Sequence, residues 1–138
     1  MYKRQVYNNT ANGTTTANFV SCAYLGTGIG GIQQNGASAV QFNTSSDERL
    51  KTNVEPAGSA IESILNFPVD QFDWIVDGQH QDFGAVAQKV QPIIPEMVSV
   101  PADEDEMWGI DWSKAVPRLI RTIQELSAEL NELKGKIA

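Results

Sequence analysis

Cysteine and histidine occur once each in the 138 residues, as Cys22 and His80. An intrachain disulfide is thereby excluded, and so is a metal site built on several histidines. No apolar run approaches the roughly 18 to 20 residues that a membrane span requires. The opening stretch Met1-Tyr2-Lys3-Arg4-Gln5-Val6-Tyr7 carries no apolar core of the kind a secretory signal needs, so no export leader is expected. Cations are scarce: ten Lys and Arg stand against seventeen Asp and Glu, a formal charge of -7. That balance opposes binding to phosphate backbones, and neither nucleic acid nor a membrane is expected as a partner. Acidic residues are absent from the first 46 positions, where Lys3 and Arg4 are the only charges. Residues 47–138 hold eight basic and seventeen acidic residues, so 8 - 17 gives -9. A break that sharp, with Asp47 the first acid of the chain, marks a join between two kinds of structure.

What is present differs on the two sides of that join. Residues 1–46 are rich in Thr, Asn, Ser, Gly, Gln and Ala, with short apolar stretches such as Phe19-Val20, Tyr24-Leu25 and Val40-Gln41-Phe42. They read as short strands and tight turns, with Gln34-Asn35-Gly36-Ala37 a hairpin turn. Too few large apolar residues occur there to bury a core, so association with identical chains, as in a fibre, is the expected source of stability. Beyond Asp47 the texture is that of a small α+β domain. A short helix is expected over residues 56–65, with Ile61, Ile64 and Leu65 on one face and Pro68 as its stop. Strands are expected at Phe72-Trp74-Val76 (turning at Asp77-Gly78), at residues 82–87, 97–100 and 107–111. A second helix is expected over residues 88–94, and an acidic loop over 101–106.

The last segment, residues 112–137, is the most periodic. Val116, Leu119, Ile123, Leu126, Leu130, Leu133 and Ile137 are spaced 3, 4, 3, 4, 3, 4. A 3.5-residue repeat sustained over three heptads is a coiled-coil seam. With Val116 at position a, Glu129 falls at g and Lys134 at the next e, where they can pair across parallel chains. Val and Ile at a with Leu at d favour dimers in an isolated coil, so the pattern does not specify three chains. The competing reading is an amphipathic helix packed on its own domain by the same apolar face.

Most other motifs have simpler explanations than chemistry. Gly26-Thr27-Gly28-Ile29-Gly30-Gly31 has dinucleotide-binding spacing, but it runs into a turn where that fold needs a helix. No cofactor is expected. Asp103-Glu104-Asp105-Glu106 reads as a solvated loop. His80 reads as a turn residue without companions at ligand spacing, and Cys22 as a small strand residue with no activating neighbour. No metal is expected.

The junction, Asn43-Thr44-Ser45-Ser46-Asp47-Glu48-Arg49-Leu50-Lys51, is different. A serine beside a lysine can serve as nucleophile and general base, provided the lysine is neutral, well below the free value of about 10.4. Desolvation or a neighbouring cation such as Arg49 acts in that direction. In an extended chain Ser46 and Lys51 would lie roughly 16 Å apart, and in a regular helix about 140° apart around the axis. The chain must turn between them, or the lysine must come from another subunit.

Ser46-Asp47-Glu48-Arg49-Leu50-Lys51 resembles the Ser-Asp-x-Arg-x-Lys signature of the autoproteolytic intramolecular chaperone domains. Those domains end phage tail fibres, neck appendages and endosialidase-type tailspikes. Further stretches match in the same order: Phe72-Asp73-Trp74, then residues 83–90 with Pro95-Glu96-Met97-Val98, then residues 119–126. Ala85 stands where the family usually has a bulkier residue. The resemblance implies an α+β architecture: a β-rich fibre end over 1–46 and a chaperone domain over 47–138, whose helix at 112–137 joins a trimeric coiled coil. It implies a homotrimer that aligns its own fibre segment. It also implies a single-turnover serine peptidase, with Ser46 as nucleophile, Lys51 as general base, and Asp47 and Arg49 as motif residues. The implied cut lies between Ser46 and Asp47. Attack by Ser46 on the Ser45 carbonyl passes through a five-membered ring, whereas attack on its own carbonyl needs a strained four-membered one. Two alternatives compete: a fibre-tip domain that trimerises without cutting, and a Ser-Lys protease acting on other proteins. The implied setting is the host cytoplasm during phage assembly, with the fibre part entering the virion tail.

Overall fold

In the computed structural model, residues 17–137 are described. They form two compact units that meet between Glu55 and Pro56.

The first unit is an antiparallel meander of β1 (Asn18–Tyr24), β2 (Thr27–Asn35) and β3 (Ala39–Thr44). Gly36, at φ +68°, lies in the expected β2–β3 turn. The β1–β2 turn falls on Leu25 and Gly26, both at positive φ, a conformation that glycine tolerates and leucine does not prefer. The glycine run is explained by the sheet. A Cβ on Gly30 would strike the Asn43 carbonyl, and one on Gly31 the Val20 carbonyl. These residues permit close backbone approach where a phosphate loop would have presented free amides. Polar side chains tie the strands together: Gln33 Oε1 accepts from Gln41 Nε2 and Asn43 Nδ2, both at 3.1 Å. Val20, Tyr24, Ile29, Val40 and Phe42 remain exposed, as a sheet without its own core requires.

The second unit orders α1 (Ile61–Leu65), β4 (Asp70–Asp73), β5 (His80–Gly84), α2 (Ala87–Val90), β6 (Val98–Ser99), β7 (Gly109–Ile110) and α3 (Ala115–Ile137). Short 3₁₀ turns at Pro95–Met97 and Trp112–Lys114 precede β6 and α3. β4 pairs with β5 and β6 with β7, both antiparallel. Val90, Ile94 and Met97 are fully buried, and Phe67, Ala85, Ile93, Val98, Ile110 and Ala115 pack around them. Burying three such side chains contributes about 1.5–3 kcal/mol each before entropy is counted.

Several local expectations shift. Residues 56–60 are not helical, and Leu65 is exposed at the end of a helix that closes on Asn66, two residues before Pro68. β4 ends at Asp73, because the Trp74–Gln79 backbone bond (2.9 Å) and the Trp74–Gly78 bond (2.7 Å) close the chain into a turn. Val76 therefore lies in that turn and not on a strand. β5 starts two residues earlier than expected, and α2 stops at Val90. His80 is a strand residue, not a turn residue: its Nδ1 lies 2.6 Å from Asp73 Oδ1.

The docking of α3 departs from the amphipathic expectation. The side turned to its own unit is Ala115, Arg118, Arg121, Thr122 and Glu125. Arg118 binds Glu96 and donates to Ser63 Oγ at 3.1 Å. Arg121 donates to the Gly58 carbonyl at 3.2 Å. Glu125 accepts from Ser59 Oγ and from the Ala60 amide, supplying the N-terminal cap that α1 lacks from its own side chains. The apolar seam is left outside, with its seven members 44–86% exposed. No helix among the described residues is long and apolar enough to cross a membrane.

Candidate active site

Ser46 follows directly on the end of the sheet. Gly30 pairs with Thr44, the Ser45 amide donates to the Ile29 carbonyl at 3.0 Å, and Ser45 Oγ donates to the Gly28 carbonyl at 3.0 Å. The chain is thus held up to the residue before Ser46.

The turn that follows is built by Asp47. Its carboxylate accepts the Arg49 amide at 2.9 Å and caps a 3₁₀ turn over Glu48–Leu50, a role short acceptors fill well. The same carboxylate is gripped by the Arg49 guanidinium, Nε to Oδ1 at 2.9 Å and an Nη to Oδ2 at 2.8 Å. This fork-to-fork pairing fixes orientation as well as distance. The Arg49 side-chain and backbone bonds hold the Asp47 carboxyl below its ordinary range against an opposing desolvation, with the nearby Lys51 charge a lesser contribution in the same downward direction. The same pairing raises Arg49.

Leaving the turn, Lys51 returns to extended backbone, with φ -126° and ψ 151°. Its side chain reaches back to Ser46, with Nζ 2.7 Å from Oγ and 3.0 Å from the Ser46 carbonyl oxygen. The turn supplies the reversal that neither a strand nor a regular helix provides, and it does so within one chain. A separation of 2.7 Å is within reach for proton transfer. The second contact touches the carbonyl of the Ser46–Asp47 bond, where a donor would polarise it. Both residues are exposed, and Ser46 borders a shallow hollow lined also by Thr27, Asn43 and Leu50.

Residues 46–99 match the chaperone of endosialidase family. The match begins on Ser46 and runs through the junction turn, β4, β5, α2 and β6, leaving α3 outside it. The family is classed among peptidases. No curated protein and no solved structure matches the chain.

The chaperone of endosialidase match therefore begins on Ser46, the first residue of the Ser-Asp-x-Arg-x-Lys resemblance. The roles of Asp47 and Arg49 were not derivable from spacing, and the geometry makes them turn-former and clamp. Other residues set aside at the start lie away from the pair. Cys22 is exposed on β1. The loop Asp103-Glu104-Asp105-Glu106 is exposed, with the Asp105 amide donating to Asp103 Oδ1.

Proposed function

We propose that the chain is the end of a phage fibre or tailspike joined to a homotrimerising intramolecular chaperone. The chaperone part aligns three copies of the β-rich segment and is then released by self-cleavage next to Ser46. The observation that carries this reading is Lys51 Nζ at 2.7 Å from Ser46 Oγ.

In the proposed reaction Ser46 Oγ attacks a peptide carbonyl carbon and its proton passes to Lys51 Nζ. The tetrahedral species collapses with loss of the amine, which takes the proton back from Lys51. Water then hydrolyses the ester and regenerates the Ser46 hydroxyl. General-base action needs a neutral amine, and covering a site favours the neutral form. In the single chain the pair is open to solvent, so closure around it by two further copies would couple cutting to assembly. The exposed α3 seam supports that assembly, since apolar seams of this length are covered in associated helices. Cleavage during assembly in the host cytoplasm would leave the fibre in the virion and discard the chaperone.

Denaturing gel electrophoresis and mass spectrometry test the reading. Two fragments are expected from the wild-type chain, lost in Ser46→Ala and in Lys51→Ala. The masses also locate the cut, since the bonds on the two sides of Ser46 give fragments that differ by one serine residue. A cutting rate that falls on dilution after assembly is complete would mark a protease acting on other molecules. An intact chain that still forms trimers would overturn the cutting step and leave a fibre-tip trimerisation domain.

A further inference from the structure

The tryptophans of the chain, three in number, all line one cleft of the second unit. Trp74, Trp108 and Trp112, with Phe72 and Phe83, enclose about 400 Å³. Phe72 and Trp74 meet edge to face at 5.3 Å, and Trp112 packs against Phe67 at 5.8 Å, so the walls are braced. Much of this surface faces solvent, Phe83 at 79%. Among the described residues no charged side chain lines the cleft, although one residue in five of the chain is charged.

Position ties the cleft to α3. Trp112 lies seven residues before Leu119, so it occupies the d position of the heptad that precedes Val116. By spacing, the row Leu133, Leu126, Leu119 leads back to Trp112, which lies in the 3₁₀ turn before α3 and in the aromatic wall. On this observation we propose that the cleft is part of the chaperone's self-association surface and seats a second copy of this chain. The proposal rests on the homotrimer reading and extends it from the helix to the body of the second unit. Two copies each carrying -7 repel wherever acidic surfaces meet, and the seam and the cleft are apolar surfaces on which they can close. An uncharged centre rich in tryptophan is the composition of an energetically dominant contact. A small-molecule site would bring several polar groups to converge, and here Gln81 is the one polar side chain in the lining.

Because every tryptophan lies in the cleft and after Ser46, intrinsic fluorescence reads it directly whether or not the chain has been cut. The full chain is followed by sedimentation across a dilution series, with Leu126→Glu, altered in the seam away from the cleft, as the dissociated reference. Expected is a blue shift of emission and reduced acrylamide quenching in the assembled form. Phe83→Glu is expected to raise the dissociation constant about tenfold or more, with unchanged far-UV dichroism. Assembly without change in emission or quenching, or a Phe83→Glu constant equal to wild type, overturns the cleft proposal and leaves the homotrimer standing. A chain that remains single at every concentration overturns both.

Discussion

At the scale of single residues, the junction separates chemistry from positioning. Ser46 and Lys51 hold the reacting atoms in the proposed cut, whereas Arg49 acts through Asp47, gripping both carboxylate oxygens while its amide completes the turn. Loosening that turn moves Nζ relative to Oγ, and misplacement of about 1 Å can cost about 100-fold in rate. Arg49→Gln is therefore expected to slow fragment release by up to about 100-fold on a timed denaturing gel, with trimer formation unchanged by sedimentation. Arg49→Lys keeps the charge but loses the planar fork, so an intermediate rate is expected. A wild-type rate in Arg49→Lys would point to charge alone, and equal rates in both variants to the fork alone. The signature Ser-Asp-x-Arg-x-Lys was visible from the sequence, but the clamp was not, because two residues at i and i+2 face each other only once the turn exists.

At the scale of elements, the second unit depends on a small core and on one helix with two differently used sides. Ile94→Ala or Met97→Ala removes a fully buried side chain and is expected to cost about 2–5 kcal/mol in urea unfolding. For α3, the polar side carries the ties to Glu96, Ser63, Gly58 and Ala60, and the seam carries none of them. Leu126→Glu should accordingly abolish the proposed association while leaving helical dichroism and the docking of α3 in place. Arg118→Ala should do the reverse, lowering the thermal midpoint of a chain that still associates. The heptad was legible from spacing. Which side the unit would take was not, because the polar partners of Arg118 and Glu125 lie 22 to 66 residues away in sequence.

At the scale of the whole molecule, the acid response follows from carboxylates with lowered pKa. Arg118 holds Glu96 below its ordinary 4.5. Ser113, by hydroxyl and amide, holds Asp111 below 3.8, and Arg49 does so for Asp47. A carboxylate depressed in the folded state stabilises it fully above the unfolded value, and that stabilisation is lost as pH falls through the folded value. These contributions are therefore complete above pH 4.5 and decline as pH falls, that of Glu96 from 4.5 and those of the two aspartates from 3.8. The thermal midpoint is expected to fall with acidification in that range, and less so in Glu96→Gln, where one of the three groups no longer titrates. A midpoint indifferent to pH below 3.8 would show that these pairings contribute nothing to folding.

Patterns that depend on neighbours in the chain were decided by the sequence alone. They include the change of texture at Asp47, the hairpin at Asn35-Gly36, the seam of α3 and the Ser-Lys pair, since turn chemistry, charge and heptad spacing act over a few residues. The tertiary structure decided whatever needs distant residues to meet. It turned the polar side of α3 inward and gathered the three tryptophans into one cleft. These outcomes depend on hydrogen bonds and packing closed across loops, whose strength local spacing does not encode.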